Sequence, residues 1–274
     1  MDRTGRNSQP RGCNVTSKDI NERILDLWYR PDLKLHELSP RLMMPLTYPE
    51  ESKESKGGIL FVGMNPSFHP PDFSRFLVGA KWNEFDPKVF FAWCNVRREF
   101  DLAKALEIDS AAVNSSLQYY KLFRDFASAI DARWQHADLF LIRIKKQKHL
   151  KQYLFAKKKK GWDAKNLNAF ARAQIEIFVD VVRVISPDVL VVANATVAHL
   201  LEDLFETRFD DETGTHRIRV GSCAEVPYFP SAMWKGGSMD TYSLQRLKWQ
   251  IKRALPEAPP VGHPPPEPRS KQRR

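Results

Sequence analysis

Two short apolar runs, "ILFVGM" at 59–64 and "VLVVANA" at 189–195, stand either side of a long amphipathic pattern, and this arrangement limits the fold more than any other feature of the chain. Unbroken apolar character over so few residues marks a strand covered on both faces, the usual condition of strands inside a parallel sheet. Between the runs, Leu167, Phe170, Gln174, Phe178, Val181 and Ile185 recur every three or four residues, which predicts one helix over 166–185. Strands separated by helices imply a parallel sheet with helices on both faces.

The rest of the chain fits that frame. A helix is expected near 18–29, with Ile20, Ile24, Leu27 and Trp28 along one face, and another over 117–131. Strands are expected at 59–64, 137–144 ("ADLFLIRI"), 187–195 and 225–230 ("EVPYFP"), with a hairpin around "DDETGTH". A helix follows at 196–205, and Leu244, Leu247, Ile251 and Leu255 mark the last one. Residues 65–100 hold "HPP", Gly79 and many aromatics, and read as irregular. The expected fold is therefore three-layer α/β, with a central, mostly parallel four-stranded sheet. Residues 1–17 are polar with Gly and Pro, an expected disordered segment. Residues 18–255 form the domain, and 256–274 a stiff Pro-rich basic tail.

Charge and cysteine usage narrow the function. The formal net charge of +10 over 274 residues is clustered in "RIKKQKHLK" at 143–151, "KKKKGW" at 157–162 and "RSKQRR" at the end. Clustered positive charge points to a polyanion, either nucleic acid or an acidic membrane surface. No apolar run is long enough to span a bilayer, and the N-terminus has no apolar signal-like segment. Cys13, Cys94 and Cys223 form no CxxC pair, which argues against a disulfide framework or zinc site. Three cysteines are too few for a four-cysteine iron–sulfur cluster. A reducing cytoplasm is the expected compartment.

In parallel sheets ligands sit beyond the carboxyl ends of the strands. "GMNPS" lies at one such end and "FPSAMWKGG" at another. Pro and Ser are ordinary turn residues, so either loop alone is unremarkable. Two Pro-Ser loops at equivalent ends of one sheet point to a shared site.

These residues, taken together, resemble the uracil-DNA glycosylase superfamily. "ILFVGMNPS" is similar to its first motif, in the "G-[IM]-N-P-G" form of the mismatch-specific and single-strand-selective branches. "VPYFPSAMWKGG" is similar to the second, "[HMN]-P-S" motif, and "VLVVANATVAHLL" to the strand–helix step before it. "ADLFLIRIKKQ" falls where the family has its base-reading strand, so the likeness covers roughly 58–252 in order. Branches with an aspartate in the first motif have a histidine in the second; this chain has Asn65 and Phe229 at those places. Asn-type branches can also lack the histidine. The base-reading strand usually offers an asparagine, and Arg143 stands in that neighbourhood here. Where the strict uracil enzymes carry a tyrosine that blocks C5 of the base, this chain carries the small Ser67.

The resemblance implies a monofunctional DNA glycosylase without metal or nucleotide cofactor, acting as a monomer on DNA. Its substrate is uracil or a modified pyrimidine, a bulky modified cytosine of phage DNA and hence a defence role among them. Cleaving the N-glycosidic bond makes an oxocarbenium-like sugar and an anionic base. Asn65 orients the attacking water, since an amide stays neutral and is no strong base. His69 is the candidate proton donor, useful because a cytosine derivative leaves less readily than uracil. Gly63, Met64, Ser67, Phe91 and Arg143 form the expected base pocket, with Phe85, Phe90 and Trp93 nearby and most of these aromatics in the core. Ser231 suits a phosphate, Met233 or Trp234 an apolar wedge into the vacated stack, and Lys235 the DNA backbone. Lys157 and Lys158 add sequence-independent phosphate affinity, unless that run is only a solvated face. A nucleic-acid-binding protein that kept the fold and lost the chemistry is the alternative. A Walker loop and a G-x-G-x-x-G turn are both absent from the sequence, which counts against a nucleotide-binding enzyme.

Overall fold

The run at 59–64 forms strand β1, Ile59–Gly63, and all five residues are buried. Gly57 and Gly58 lead into it with φ of +79° and +72°, a backbone that disfavours any side chain. In the computed structural model, which describes residues 15–33, 43–48, 56–77, 86–93, 98–114, 118–155, 162–231 and 239–256, β1 is central. Strand β2 (Trp134–Asp138) lies parallel on one side of it and β3 (Val189–Val192) parallel on the other. Strand β6 (Val226–Pro230) pairs parallel with β3. The hairpin of β4 (Glu206–Asp210) and β5 (Thr215–Arg219) then pairs antiparallel onto β6.

The sheet thus has six strands in the order β2-β1-β3-β6-β5-β4, not the expected four. The "DDETGTH" hairpin accounts for the difference, because it covers the outer edge that β6 would otherwise leave unpaired. Strand β2 is also shifted from its expected 137–144 and ends at Asp138. Leu139–Ile142 are just as buried but leave the ladder. Their backbone is met by other groups: Phe140 N–H donates to Met64 O at 3.0 Å, and Leu141 N–H to Gln174 Oε1 at 2.8 Å. Apolar runs alone do not separate a buried loop held in this way from a strand.

Alternation along the strands splits the interior into two cores. Leu60, Val62, Leu190 and Val192 face α1 (Ser17–Tyr29), α7 (Ala169–Ile185) and α8 (Ala195–Leu204). Ile59, Phe61, Val189, Val191 and Phe229 face α5 (Gln118–Ser128) and α9 (Thr241–Ala254). Phe61 stacks on Phe123 of α5 with centroids 4.6 Å apart. Truncating such a buried ring costs about 3–5 kcal/mol. Thr16 starts α1 with a reciprocal capping box to Asp19.

Residues 65–100 are more regular than the sequence suggests. They contain α2 (Pro70–Leu77) and α3 (Pro87–Phe90), and α4 (Arg98–Asn114) starts at their end. The inward stripe of α4 is Ala105, Ile108, Asp109 and Ala112. Two alanines and a carboxylate carry little apolar signal at helical spacing, which is why the pattern hides this helix. A short helix α6 (Lys151–Leu154) precedes α7. Met44, Phe68, Phe73, Phe91, Ala105 and Ile108 form a separate small core on this side. Residues 1–14 and the Pro-rich tail from 257 lie outside the described residues.

Candidate functional site

The four parallel strands all end on one edge of the sheet, and the two Pro-Ser loops leave from it. The first leaves β1 after Gly63; the second leaves β6, where Ser231 N–H donates to Val192 O of β3 at 2.8 Å. One strand separates β1 from β6, so the loops start roughly 10 Å apart, two strand spacings.

Asn65 is the best-defined polar group of the first loop. Its Nδ2 is within 3.1 Å of Pro66 O and Ile142 O and within 2.8 Å of Ile144 O. Three carbonyls around one end of the amide fix which end is nitrogen. Its Oδ1 makes no hydrogen bond among the described residues, and Asn65 keeps 9% of its surface exposed. The amide is therefore anchored by its donors and holds its acceptor in a set direction. The neighbours differ. Met64 is buried in the larger core, Ser67 is exposed and His69 is half-buried, its carbonyl accepting from Phe73 N–H at the start of α2.

Arg143 and Phe91, both expected in the base pocket, are buried and pack against each other. The Arg143 side chain is 2% exposed, and its Nη2 lies 2.8 and 2.7 Å from the two carboxylate oxygens of Asp109 on α4. Its Nε donates to Met44 O at 3.1 Å and Nη2 to Pro45 O at 3.3 Å. The guanidinium lies 4.1 Å from the centre of the fully buried Phe91 ring. Asp109 also accepts from Thr47 N–H and Oγ1–H at 3.1 and 2.8 Å. Arg143 is thus a buried clamp that ties residues 44–47 to α4, with Phe91 as its floor. These contacts occupy the Nε and Nη2 donors of Arg143 and bury the Phe91 ring. Met233, Trp234 and Lys235, and Lys157 and Lys158, lie outside the described residues.

The sequence reading missed a cluster around Gly63. Its partner in the β1–β2 ladder is Asp138, the last residue of β2. A methyl built on Gly63 would strike Asp138 Oδ1, and would come within 2.7 Å of Tyr119 Oη and 3.0 Å of His136 Nε2. Only glycine lets these polar groups lie against the strand end. Tyr119 Oη and His136 Nε2 share a 2.9 Å hydrogen bond. His136 Nε2 is 3.9 Å from Asp138 Oδ1, too far for one. The Asp138 side chain is 1% exposed, and neither of its oxygens has a hydrogen-bond partner among the described residues. Burial pushes its carboxyl up to about 8, with Arg143 pulling it back and Asp109 pushing it further. Burial likewise holds His136 neutral, down to about 3. A neutral acid and a neutral imidazole are the forms that such a site tolerates. The signal for this cluster was local: His136 and Asp138 are two apart, hence on one face of β2.

Against known proteins, the chain matches no family model and no curated sequence. Among the described residues no helix is long and apolar enough to cross a membrane. A cavity of about 460 Å³ lies between the β4–β5 hairpin and α9, and Thr213, Arg217, Trp249 and Arg253 are among the residues lining it. It contains none of the groups gathered at the strand ends.

Proposed function

We propose that the chain is a monofunctional DNA glycosylase that hydrolyses the N-glycosidic bond of a flipped-out pyrimidine and leaves an abasic site. The observation that carries this reading is the anchored amide of Asn65 at the carboxyl end of the central strand. Its donors are held by three carbonyls, so its Oδ1, which makes no hydrogen bond among the described residues, can orient one water. Pre-set orientation is what an amide can contribute to the attack on an oxocarbenium-like sugar. The likeness of "GMNPS" and "FPSAMWKGG" to the glycosylase motifs supports the same reading.

DNA is the partner that the charge favours. Helix α9 follows directly on the second loop and carries no acidic residue. Arg246, Lys252 and Arg253 are exposed on it, as are Tyr242 at 82% and Trp249 at 58%. Basic and aromatic side chains interleaved on one exposed helix suit phosphates and stacked bases. The reading extends to a monomer acting in the cytoplasm, on uracil or on a modified cytosine of phage DNA.

The test is incubation with duplex and single-stranded oligonucleotides bearing uracil or modified pyrimidines, with mass detection of free base. Asn65→Ala should lower release by roughly 10²–10⁴ while DNA binding stays intact. DNA binding without release of any base by the wild type would replace this reading with that of a binding protein on the same fold.

A further inference from the structure

We infer that Asp138 is the acid of this site and that the base it serves is a cytosine-type pyrimidine, which leaves only when protonated. This inference rests on the glycosylase reading above and deepens it. The geometry carries it. Asp138 ends β2 in register with Gly63, two residues before Asn65, on the edge where both loops arise. Its two oxygens are buried and unpartnered among the described residues, although the fold has partners to give. Asp109, equally buried, has an arginine and a threonine. A carboxyl left without partners at a strand end has hydrogen bonds in reserve for a ligand.

The chemistry selects the ligand. A carboxylic acid offers one O–H and one C=O side by side. Cytosine presents N3, an acceptor, beside the N4 amino group, a donor; the two edges match. As the C1′–N1 bond breaks, its electron pair goes to the base and the Asp138 proton passes to N3. The base departs as a neutral tautomer. Water oriented by Asn65 adds its hydroxyl to C1′, and its remaining proton restores Asp138 by way of solvent. Uracil leaves as a fairly stable anion and does not require this step.

The acid must be protonated at working pH, so the groups around it matter. Tyr119 and Tyr120 of α5 and His136 of β2 face it, with Asp109 of α4 and Arg143 further off. His136 is neutral and the tyrosines are uncharged, so among the described residues the cationic influence on it is that of the already paired Arg143. His69, the proton donor expected from the sequence, stands on the loop beyond and is only half-buried.

The experiment compares release of 5-hydroxymethylcytosine and of uracil from otherwise identical oligonucleotides by wild type and Asp138→Asn. The amide keeps size and hydrogen bonding but cannot deliver a proton. The ratio of cytosine-type to uracil release should fall by roughly 10²–10³ in the variant, the contribution of a positioned acid. In the wild type that ratio should drop about tenfold per pH unit above the carboxyl's titration near 8, and the variant should lose this dependence. A second measurement guards against misfolding: near-ultraviolet circular dichroism and the melting temperature of the variant must match or exceed those of the wild type. An unchanged ratio, or a folded variant with the wild-type pH profile, overturns the assignment. Release of uracil alone by the wild type overturns it too, yet leaves the glycosylase reading standing. Release of no base at all removes both.

Discussion

Removing the Arg143 guanidinium separates a structural clamp from a base reader. Arg143→Met keeps most of the side-chain volume and deletes the charge. The substitution leaves the Asp109 carboxylate at 4% exposure, with Thr47 as its remaining partner among the described residues, and strips Met44 O and Pro45 O of a donor. Breaking one side of a buried ion pair costs about 3–5 kcal/mol, most of it the stranded charge. The two bonds from Thr47 place the expected loss toward the lower end. For a domain of this size, each kcal/mol moves Tm by about 2–4 °C, so the variant should melt roughly 6–20 °C below the wild type. Urea unfolding followed by tryptophan fluorescence measures the same loss at 25 °C. Replacing both partners, as Arg143→Met with Asp109→Leu, removes the stranded charge and should recover more than about 1 kcal/mol relative to the sum of the single losses. A melt within about 1 °C of wild type for Arg143→Met, or strict additivity of the pair, refutes the clamp. A variant that stays stable but changes which base is released would restore Arg143 to the pocket.

Stability should also depend on pH through Asp138 and His136. The Asp138 carboxyl, raised to about 8, holds a proton that the unfolded chain has lost above about 4, so stability falls as pH rises through that window. His136, lowered to about 3, gives the opposite slope up to about 6.5, where the unfolded imidazole loses its proton. The two offset below about 6.5, leaving a net loss of about 2 kcal/mol between 6.5 and 8, which Asp138→Asn should abolish; equal urea midpoints for the wild type at pH 6.5 and 8 would count against it. Gly63→Ala should destabilise by about 1–3 kcal/mol or more, since its methyl must displace Asp138 Oδ1, and thermal melts read this directly. Changing Lys157 to Lys160 into Gln should weaken binding to all DNA sequences alike and reduce the salt slope by roughly 0.9 per lost duplex contact. An unchanged slope would make this run a solvated face.

The alternation of apolar runs and helical stripes carried the parallel part of the sheet, because burial on both faces writes itself into every residue of a strand such as Ile59–Val62. The 3.6-residue stripe of α7 was equally plain, down to Gln174, whose place in an apolar face makes sense only once its Oε1 is seen to receive Leu141 N–H. The Pro-Ser loops could be placed on one edge without coordinates, since parallel strands must end together. Other features came only with the tertiary structure. Leu139–Ile142 read as strand because sequence records burial and not the partner of a backbone N–H. Helix α4 was invisible because its inward face is two alanines, an isoleucine and the carboxylate that Arg143 needs. Arg143 looked free for a ligand until Asp109, 34 residues earlier, proved to hold it. Asp138 drew no notice within the apolar run it opens, and its place beside Gly63 of another strand became visible only with the β1–β2 register. Local pattern sets which segments are buried and how they are wound. Which charges meet inside is decided by contacts between residues far apart in the chain, and these leave no local period to read.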